Sequence, residues 1–175
     1  MSAAAFDSER LRMRPQRIED ADALFEAYSD AELMRYWSSG PHADIAETRA
    51  YLTPRLDQAQ WRGWAVTLKH DDRVIGTLAA GQKRPSVSEI GYLLVRSAWG
   101  RGYAREAVSR LIDLLVHEEG QRRVFADTDP DNAASNALLA ALGFRREGLL
   151  RAEWETHIGV RDTALWGLLA EEWAR

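Results

Sequence analysis

The chain has 175 residues, of which 46% are hydrophobic and 29% charged, a composition typical of one globular domain. Its net charge of −4 argues against binding to a nucleic-acid backbone, which calls for a basic surface. It contains no cysteine, so disulfides, thiolate metal sites and a cysteine nucleophile are excluded.

The sequence also limits where the protein can be located in the cell and which ligands it can bind. The first residues have neither a basic region nor a long apolar stretch, and no segment approaches the roughly 20 apolar residues of a membrane span. The four histidines are scattered without the spacing of metal ligands. We therefore expect one domain over residues 1–175, located in the cytoplasm, with no metal and with neither nucleic acid nor membrane as a partner.

The first half of the chain is predicted to open with a strand and continue with helices. Apolar and polar residues alternate over 11–15, and a helical stripe extends from 18 to 28. Further helical stretches cover about 31–37 and about 44–60, the latter with Pro54 as a kink or break.

The middle of the chain is predicted to form an antiparallel meander. Its strands are expected at 64–68, 74–80 and 86–95, joined by short polar turns. A helix is then expected from 103 to about 119, ending near Gly120.

The last part of the chain returns to the sheet. A strand is predicted at 123–128, and because strand, helix and strand follow one another, it should lie parallel to the strand at 86–95. A helix is expected from 133 to 142, closed by Gly143. Two strands, 144–154 and 160–168, then indicate a hairpin.

The segment Trp99-Gly100-Arg101-Gly102-Tyr103-Ala104 joins a predicted strand to a predicted helix. Two glycines at this junction remove two Cβ atoms, so backbone N–H groups can approach an anion at the positive end of the helix. A glycine pair also marks plain turns, so the pattern alone is weak. A nucleotide-triphosphate loop would need Lys followed by Ser or Thr, and a Rossmann fingerprint would need three spaced glycines, so both are disfavoured.

The arrangement resembles the GNAT superfamily of acyl-CoA-dependent N-acyltransferases. The family signature is Gln or Arg, two residues, Gly, one residue, then Gly or Ala, and that frame here holds Trp99, Gly102 and Ala104. Tryptophan departs from the usual first residue. Trp-Gly-Arg-Gly-Tyr-Ala is similar to the form in the branch that includes the ribosomal-protein N-terminal acetyltransferases RimJ and RimL.

A second block supports the resemblance. Asn132 and Ser135, followed by Gly143 and Phe144, look like the helix that contacts CoA and the strand after it. The opening Leu-Arg-x-Arg strand and the late pair Arg161-Asp162 extend the resemblance over nearly the whole chain. The implied fold is α/β (α+β), a mixed, mostly antiparallel sheet of about seven strands with a central splayed parallel pair and about four helices.

The resemblance implies acetyl-CoA as the cosubstrate. In this fold, backbone groups of Leu93, Leu94 and Val95 would be left unpaired between the splayed strands, where the pantetheine arm adds like a strand. The pyrophosphate would rest on backbone amides, with Asn132 and Ser135 as further contacts. The residues expected around the pyrophosphate are Gly100, Arg101, Gly102, Tyr103, Ala104 and Arg105.

Amine acylation needs a neutral amine, a stabilised oxyanion and a protonated thiolate. The candidate general base is Glu89, which lies on the strand before the glycine turn, acting directly or through a water. A structural ion pair is the alternative for Glu89. Many members of the family use a tyrosine as the acid, at the position that Leu139 holds here. Ser135 is therefore the candidate acid, with helix capping as its alternative role.

The sequence says less about the part of the site that would bind the acceptor amine. Six tryptophans include candidates for an aromatic wall, although most tryptophans pack in cores: Trp37, Trp61, Trp64, Trp154, Trp166 and Trp173. Glu153 and Glu155 could attract a cationic amine, or they could be an exposed polar face. The leading interpretation is transfer of an acetyl group to a protein N-terminus or a small-molecule amine. The alternatives are a non-catalytic CoA-binding module and a generic nucleotide-binding domain, and a homodimer is left open.

Overall fold

The computed structural model describes residues 4–56 and 61–173, in which eight strands form one sheet. Neighbouring strands lie in the order β1, β2, β3, β4, β5, β6, β8, β7. The strands are β1 (Phe6–Asp7), β2 (Leu11–Pro15), β3 (Trp61–Leu68), β4 (Val74–Arg84), β5 (Val87–Leu94), β6 (Arg123–Thr128), β7 (Arg145–Thr156) and β8 (Gly159–Leu169).

In the described ranges, four α-helices connect and cover the sheet. They are α1 (Ala21–Tyr28), α2 (Ile45–Leu52), α3 (Tyr103–Asp113) and α4 (Ala133–Ala141). Helix α3 continues into a π-helical segment, Leu114–Glu118, before Gly120 turns the chain with a φ of 68°. Glycine adopts this left-handed conformation without the penalty that a Cβ atom brings, so the helix ends there.

One pair of neighbouring strands in the sheet is parallel, and it positions the cleft described below. All other pairings between the described strands are antiparallel. Strands β5 and β6 pair in parallel only from Val87 to Glu89, which lies opposite Phe125. Beyond Glu89 the two strands diverge, so the second half of β5 has no neighbour on that side.

The core is one continuous cluster of buried apolar side chains from the strands and helices. Helix α3 contributes Ala107, Val108 and Leu111 from its apolar stripe, and the π-helical segment continues the stripe with Leu115; all four are fully buried. Helix α1 packs on α2 and β4, and α3 packs on β2, β4 and β5. The predicted stripe thus fastens α3 to the sheet beside the diverging strands.

Most predicted elements are present with close boundaries. The sheet has one strand more than expected, because β1 is only two residues long and carries no periodic pattern. The helix expected over 31–37 is only a 3₁₀ turn, Leu33–Tyr36. The helix expected over 44–60 ends at Leu52, followed by a 3₁₀ turn that contains Pro54, and residues 57–60 lie outside the described part of the chain.

In the described ranges no helix combines the length and the apolar composition needed to cross a membrane.

Candidate functional site

A cleft of about 1020 Å³ runs between the diverging ends of β5 and β6. Its walls include residues of β5 and β6, the turn before α3 and the first turn of α4. The divergence creates the cleft, because each strand loses its neighbour after Glu89 and Phe125. The predicted site residues in its walls are Glu89, Leu93, Leu94, Gly100, Gly102, Tyr103, Ala104, Arg105, Asn132 and Ser135. Arg101 and Val95 do not line it.

At one end of the cleft, the turn before α3 presents a row of free backbone amides. Gly100 and Gly102 have φ angles of 73° and 76°, in the left-handed region that favours glycine. Within the part of the chain that the structure describes, the N–H groups of residues 101 to 105 donate no hydrogen bond to a protein acceptor. We call these five N–H groups the amide cradle.

The amide cradle is open because of how α3 begins. Helices α2 and α4 each cap an amide with a side chain, that of Asp44 and that of Asn132. Helix α3 has Gly102 at the same position, which has no side chain to offer. The first amides of a helix together carry a partial positive charge, so this terminus suits an anion.

Arg10, a residue that the sequence did not single out, holds the cradle in place. Its Nη1 donates to the Arg101 carbonyl oxygen at 3.0 Å, and its Nε donates to Glu106 Oε2 at 2.7 Å. The guanidinium also lies 4.6 Å from the centre of the Tyr103 ring. Arg10 therefore ties the glycine turn and the first turn of α3 to the start of β2.

The backbone of β5 presents hydrogen-bonding groups to the cleft. The Val95 N–H donates to the Ile75 carbonyl oxygen at 2.9 Å, so this group faces β4. Because backbone groups alternate in direction along a strand, those of Leu93 also face β4. Those of Tyr92 and Leu94 face the gap that β6 leaves.

The expected set of unpaired backbone groups is therefore partly wrong. Leu93 and Val95 direct their groups to β4, and Tyr92 takes their place beside Leu94. The Leu94 carbonyl oxygen accepts a hydrogen bond from the indole of Trp99 at 3.0 Å, which leaves its N–H for the gap. The sequence showed a strand here but not which side of it would meet β4.

Glu89 lies where the strands begin to diverge and lines the cleft. Its Oε2 is 3.0 Å from Lys83 Nζ, so the ion pair considered for this residue is present. Burial raises the pKa of the Glu89 carboxyl group, the Lys83 ammonium opposes this, and the nearby Asp127 carboxylate adds to the increase. A carboxylate with a raised pKa in a cleft is a stronger base than an exposed one.

Ser135 faces Tyr92 across the cleft. The two hydroxyl oxygens are 2.6 Å apart, and burial raises the pKa of Tyr92 to about 12. Helix capping by Ser135 is wrong, because the cap of α4 is Asn132, whose Oδ1 accepts from the Ser135 N–H at 3.2 Å. The Ser135 hydroxyl is therefore not used as a helix cap, and Ser135 lines the cleft. The sequence missed Tyr92, whose partner lies 43 residues further along the chain.

Arg161 fixes the turn that leads into α4. Its guanidinium bonds Asp129 at 2.7 Å and Asp131 at 2.5 Å, just before the Asn132 cap. The late Arg161-Asp162 pair of the sequence thus has a structural role at the cleft, since it joins β8 to the start of the helix that carries Ser135.

The other end of the cleft is aromatic. The Trp37 indole donates to the Tyr51 hydroxyl at 2.9 Å, and the Arg55 guanidinium lies 3.5 Å from the centre of the Tyr51 ring. Trp61 and Trp154 also line the cleft. The other three tryptophans proposed for the acceptor wall do not: Trp64 is fully buried, and Trp166 and Trp173 bond Thr128 and Asp113. Glu153 lies at a neighbouring small cavity and Glu155 is exposed on β7.

Known proteins are similar to this chain in both sequence and fold. The sequence profile of the acetyltransferase (GNAT) domain matches residues 10–145, which include the amide cradle and both diverging strands. The chain belongs to the GNAT acetyltransferase family. This GNAT protein is 34% identical over 172 residues to "uncharacterized N-acetyltransferase p20" of Bacillus licheniformis, covering 95% of this chain and 97% of the relative.

Two further relatives agree. The N-acetyltransferase YoaA of Bacillus subtilis is 31% identical over 151 residues, covering 83% of this chain and 85% of the relative. A solved GCN5-related N-acetyltransferase from Brucella melitensis superimposes with a TM-score of 0.89 at 26% identity, covering 99% of this chain and 81% of that one. This GNAT protein is therefore an acyl-CoA-dependent N-acetyltransferase.

The cleft fits the cosubstrate that the GNAT family uses. Five open amides at a helix N-terminus suit a pyrophosphate, and a strand edge without a neighbour suits the amide groups of a pantetheine arm. In the described residues no group of His, Asp and Glu side chains could hold a metal ion.

Proposed function

We propose that this N-acetyltransferase transfers the acetyl group of acetyl-CoA to a primary amine by direct attack in a ternary complex. The observation that carries the proposal is the amide cradle, which lies at one end of a cleft that also holds a raised-pKa carboxylate and a pair of hydroxyl groups. Binding, proton removal and proton supply can therefore be assigned to separate groups of one cleft.

The amides of Arg101 to Arg105 bind the pyrophosphate, and the backbone of Tyr92 and Leu94 bonds the pantetheine arm as a neighbouring strand would. The Leu94 N–H is also the candidate oxyanion donor. The neighbouring Val95 N–H cannot take this role, because it donates to the Ile75 carbonyl oxygen. The side chains of Arg101 and Arg105 are exposed, so the recognition assigned to this turn is by its backbone.

Glu89 removes the proton from the acceptor ammonium, directly or through one water. Its raised pKa suits that task at neutral pH, because a base works best when its pKa approaches the working pH. Ser135 relays to the departing thiolate the second proton that the acceptor nitrogen loses on acylation, so the Ser135 hydroxyl is restored. The Tyr92 and Ser135 hydroxyl oxygens are 2.6 Å apart. In the proposed arrangement Tyr92 is the donor of this pair, which leaves the Ser135 proton for the cleft.

Removing the hydroxyl groups of this pair should lower turnover more than binding. We expect Ser135→Ala to lower kcat about 10²-fold and Tyr92→Phe about 10-fold, since the first loses the acid and the second its orientation. Steady-state kinetics together with acetyl-CoA titration would measure both. An unchanged kcat in both variants, with only the melting temperature lowered, would assign the pair a structural role.

The position of the usual family tyrosine is closed to catalysis in this chain. Leu139 has 0% exposure and belongs to the apolar core rather than to the cleft walls. We expect Leu139→Tyr to lower the free energy of unfolding by about 1–3 kcal/mol through overpacking, without raising kcat. Denaturant unfolding and a turnover assay test this, and a gain in kcat at unchanged stability would contradict it.

The acceptor proposed is a protein N-terminus or a small-molecule amine, as in the RimJ and RimL branch. A ribosomal-protein-S5-alanine acetyltransferase from Vibrio fischeri superimposes with a TM-score of 0.76 at 21% identity. A spermidine N-acetyltransferase from Vibrio cholerae, solved with CoA and spermine, superimposes with a TM-score of 0.79 at 17% identity. These identities support the fold alone, so both acceptor classes belong in a screen.

Two measurements separate the proposal from its rivals. Acetyl-CoA should raise the melting temperature, and ATP or NAD at the same concentration should not. Free thiol should be released when acetyl-CoA is mixed with an amine panel of peptides, polyamines, aminoglycosides and amino-acid analogues. Stabilisation by acetyl-CoA without thiol release from any amine would favour a non-catalytic CoA-binding module. Stabilisation by ATP or NAD instead would favour a generic nucleotide-binding domain.

A further inference from the structure

A second, smaller cavity of about 410 Å³ adjoins the main cleft and holds an amine of the protein itself. Glu89, Trp61 and Trp154 line both spaces. Lys83 lines the smaller one, with its Nζ 3.0 Å from Glu89 Oε2 and 4.8 Å from the centre of the Trp61 ring. The chain thus places a primary amine against the carboxylate that the proposed function uses as a base.

The position of Lys83 on its strand leaves the side chain partly exposed. Lys83 lies near the end of β4, where the pairing with β5 shifts register between Gln82 and Arg84, and its side chain is 42% exposed. A lysine side chain has a flexible four-carbon stem, so its Nζ can turn from the smaller cavity toward the main cleft without a change of backbone. Glu89 is within reach from both sides.

The other lysine of the sequence provides an internal reference. Lys69 and Lys83 are the chain's two lysines. Lys69 is 40% exposed, close to the 42% of Lys83, and it also has a carboxylate nearby, that of Asp7 at 3.9 Å. Lys69 lines neither cavity. A difference between the acetylation rates of the two amines would therefore be due to the position of Lys83 beside the cleft and not to solvent access.

We propose that Lys83 is itself an acceptor, and that the protein transfers an acetyl group to Lys83 Nζ when no external amine is present. This inference rests on the proposed function. Glu89 takes one proton from the ammonium, and the nitrogen lone pair attacks the thioester carbonyl carbon. The C–N bond forms and the C–S bond breaks. The second proton lost by the nitrogen ends on the sulfur of CoA, and the proton on Glu89 passes to solvent.

The test follows both lysines in one sample. The 175-residue chain is incubated with acetyl-CoA alone. Cleavage at arginine then places Lys69 and Lys83 on separate peptides for mass spectrometry, because Arg73 lies between them. We expect Lys83 to be acetylated about 10²-fold faster than Lys69, the lower end of what a placed general base contributes. An acceptor amine taken from the screen should slow the reaction at Lys83 and leave Lys69 unaffected.

Two variants sharpen the test. Glu89→Gln, checked for folding by its melting temperature, should bring the rate at Lys83 down to that at Lys69. Lys69→Arg should leave the rate at Lys83 unchanged. Equal, slow acetylation of both lysines in a protein that acetylates an external amine would overturn this inference and leave the proposed function standing. Failure to acetylate either lysine or any amine would overturn both.

Discussion

Glu89→Gln is expected to lower kcat by about 10²-fold or more, because the amide cannot take the proton from the acceptor ammonium. The dependence of kcat on pH should also differ between the wild type and this variant. Burial raises the pKa of Glu89 above its ordinary value of 4.5, and the ionised form is the base. Activity should therefore fall on acidification from a higher pH than an exposed glutamate would give, and the fall should be absent in the variant.

The matched control for this experiment is Glu153→Gln, which removes a carboxylate from the neighbouring cavity without touching the proposed base. Both variants should bind acetyl-CoA with unchanged affinity, measured by calorimetry, because neither residue belongs to the amide cradle. Wild-type kcat and an unaltered pH profile in Glu89→Gln would show that the Glu89–Lys83 pair is structural and that another group removes the proton.

Gly102→Ala is expected to weaken acetyl-CoA binding by at least about 10-fold. A Cβ atom at a φ of 76° is strained by about 1–2 kcal/mol. The turn relieves that strain by rotating its amides away from the cradle. Each hydrogen bond to a charged oxygen that is lost in this way removes about 1.5–3 kcal/mol. Calorimetric titration of the variant and the wild type measures the change in Kd.

Gly120→Ala is the control for strain alone. Gly120 has a φ of 68° at the other end of the same helical segment and lines no part of the cleft. Both variants should lose similar free energy of unfolding, and only Gly102→Ala should lose affinity. Equal affinity in the two variants would mean that the cradle does not hold the pyrophosphate.

Much of the fold could be predicted because its elements have strong local patterns. The strands Leu11–Pro15 and Arg123–Thr128 have the expected boundaries, and α3 begins at Tyr103 as its apolar stripe indicates. The predictions that were wrong concern segments whose secondary structure is not determined by their local sequence pattern. Leu33–Tyr36 shows helical spacing but forms only a 3₁₀ turn, and the two-residue β1 forms by pairing with β2.

The site was predictable where the chain itself carries the chemistry. The two glycines and the start of α3 form the turn that their pattern indicated, with both glycines at positive φ. Contacts between distant segments could not be read from local pattern. The pairing of Tyr92 with Ser135 depends on how α4 meets β5, and the hold of Arg10 on the turn joins residues 91 positions apart.

In the proposed complex, backbone amides before and at the start of α3 bind the pyrophosphate of acetyl-CoA. A crystal structure of the protein with acetyl-CoA bound would show whether these amides hold the pyrophosphate. We predict pyrophosphate oxygens within about 2.7–3.2 Å of amide nitrogens of residues 101 to 105, the usual range for such hydrogen bonds. A pyrophosphate bound elsewhere, with these amides turned to solvent or to protein acceptors, would rule out the amide cradle as its binding site.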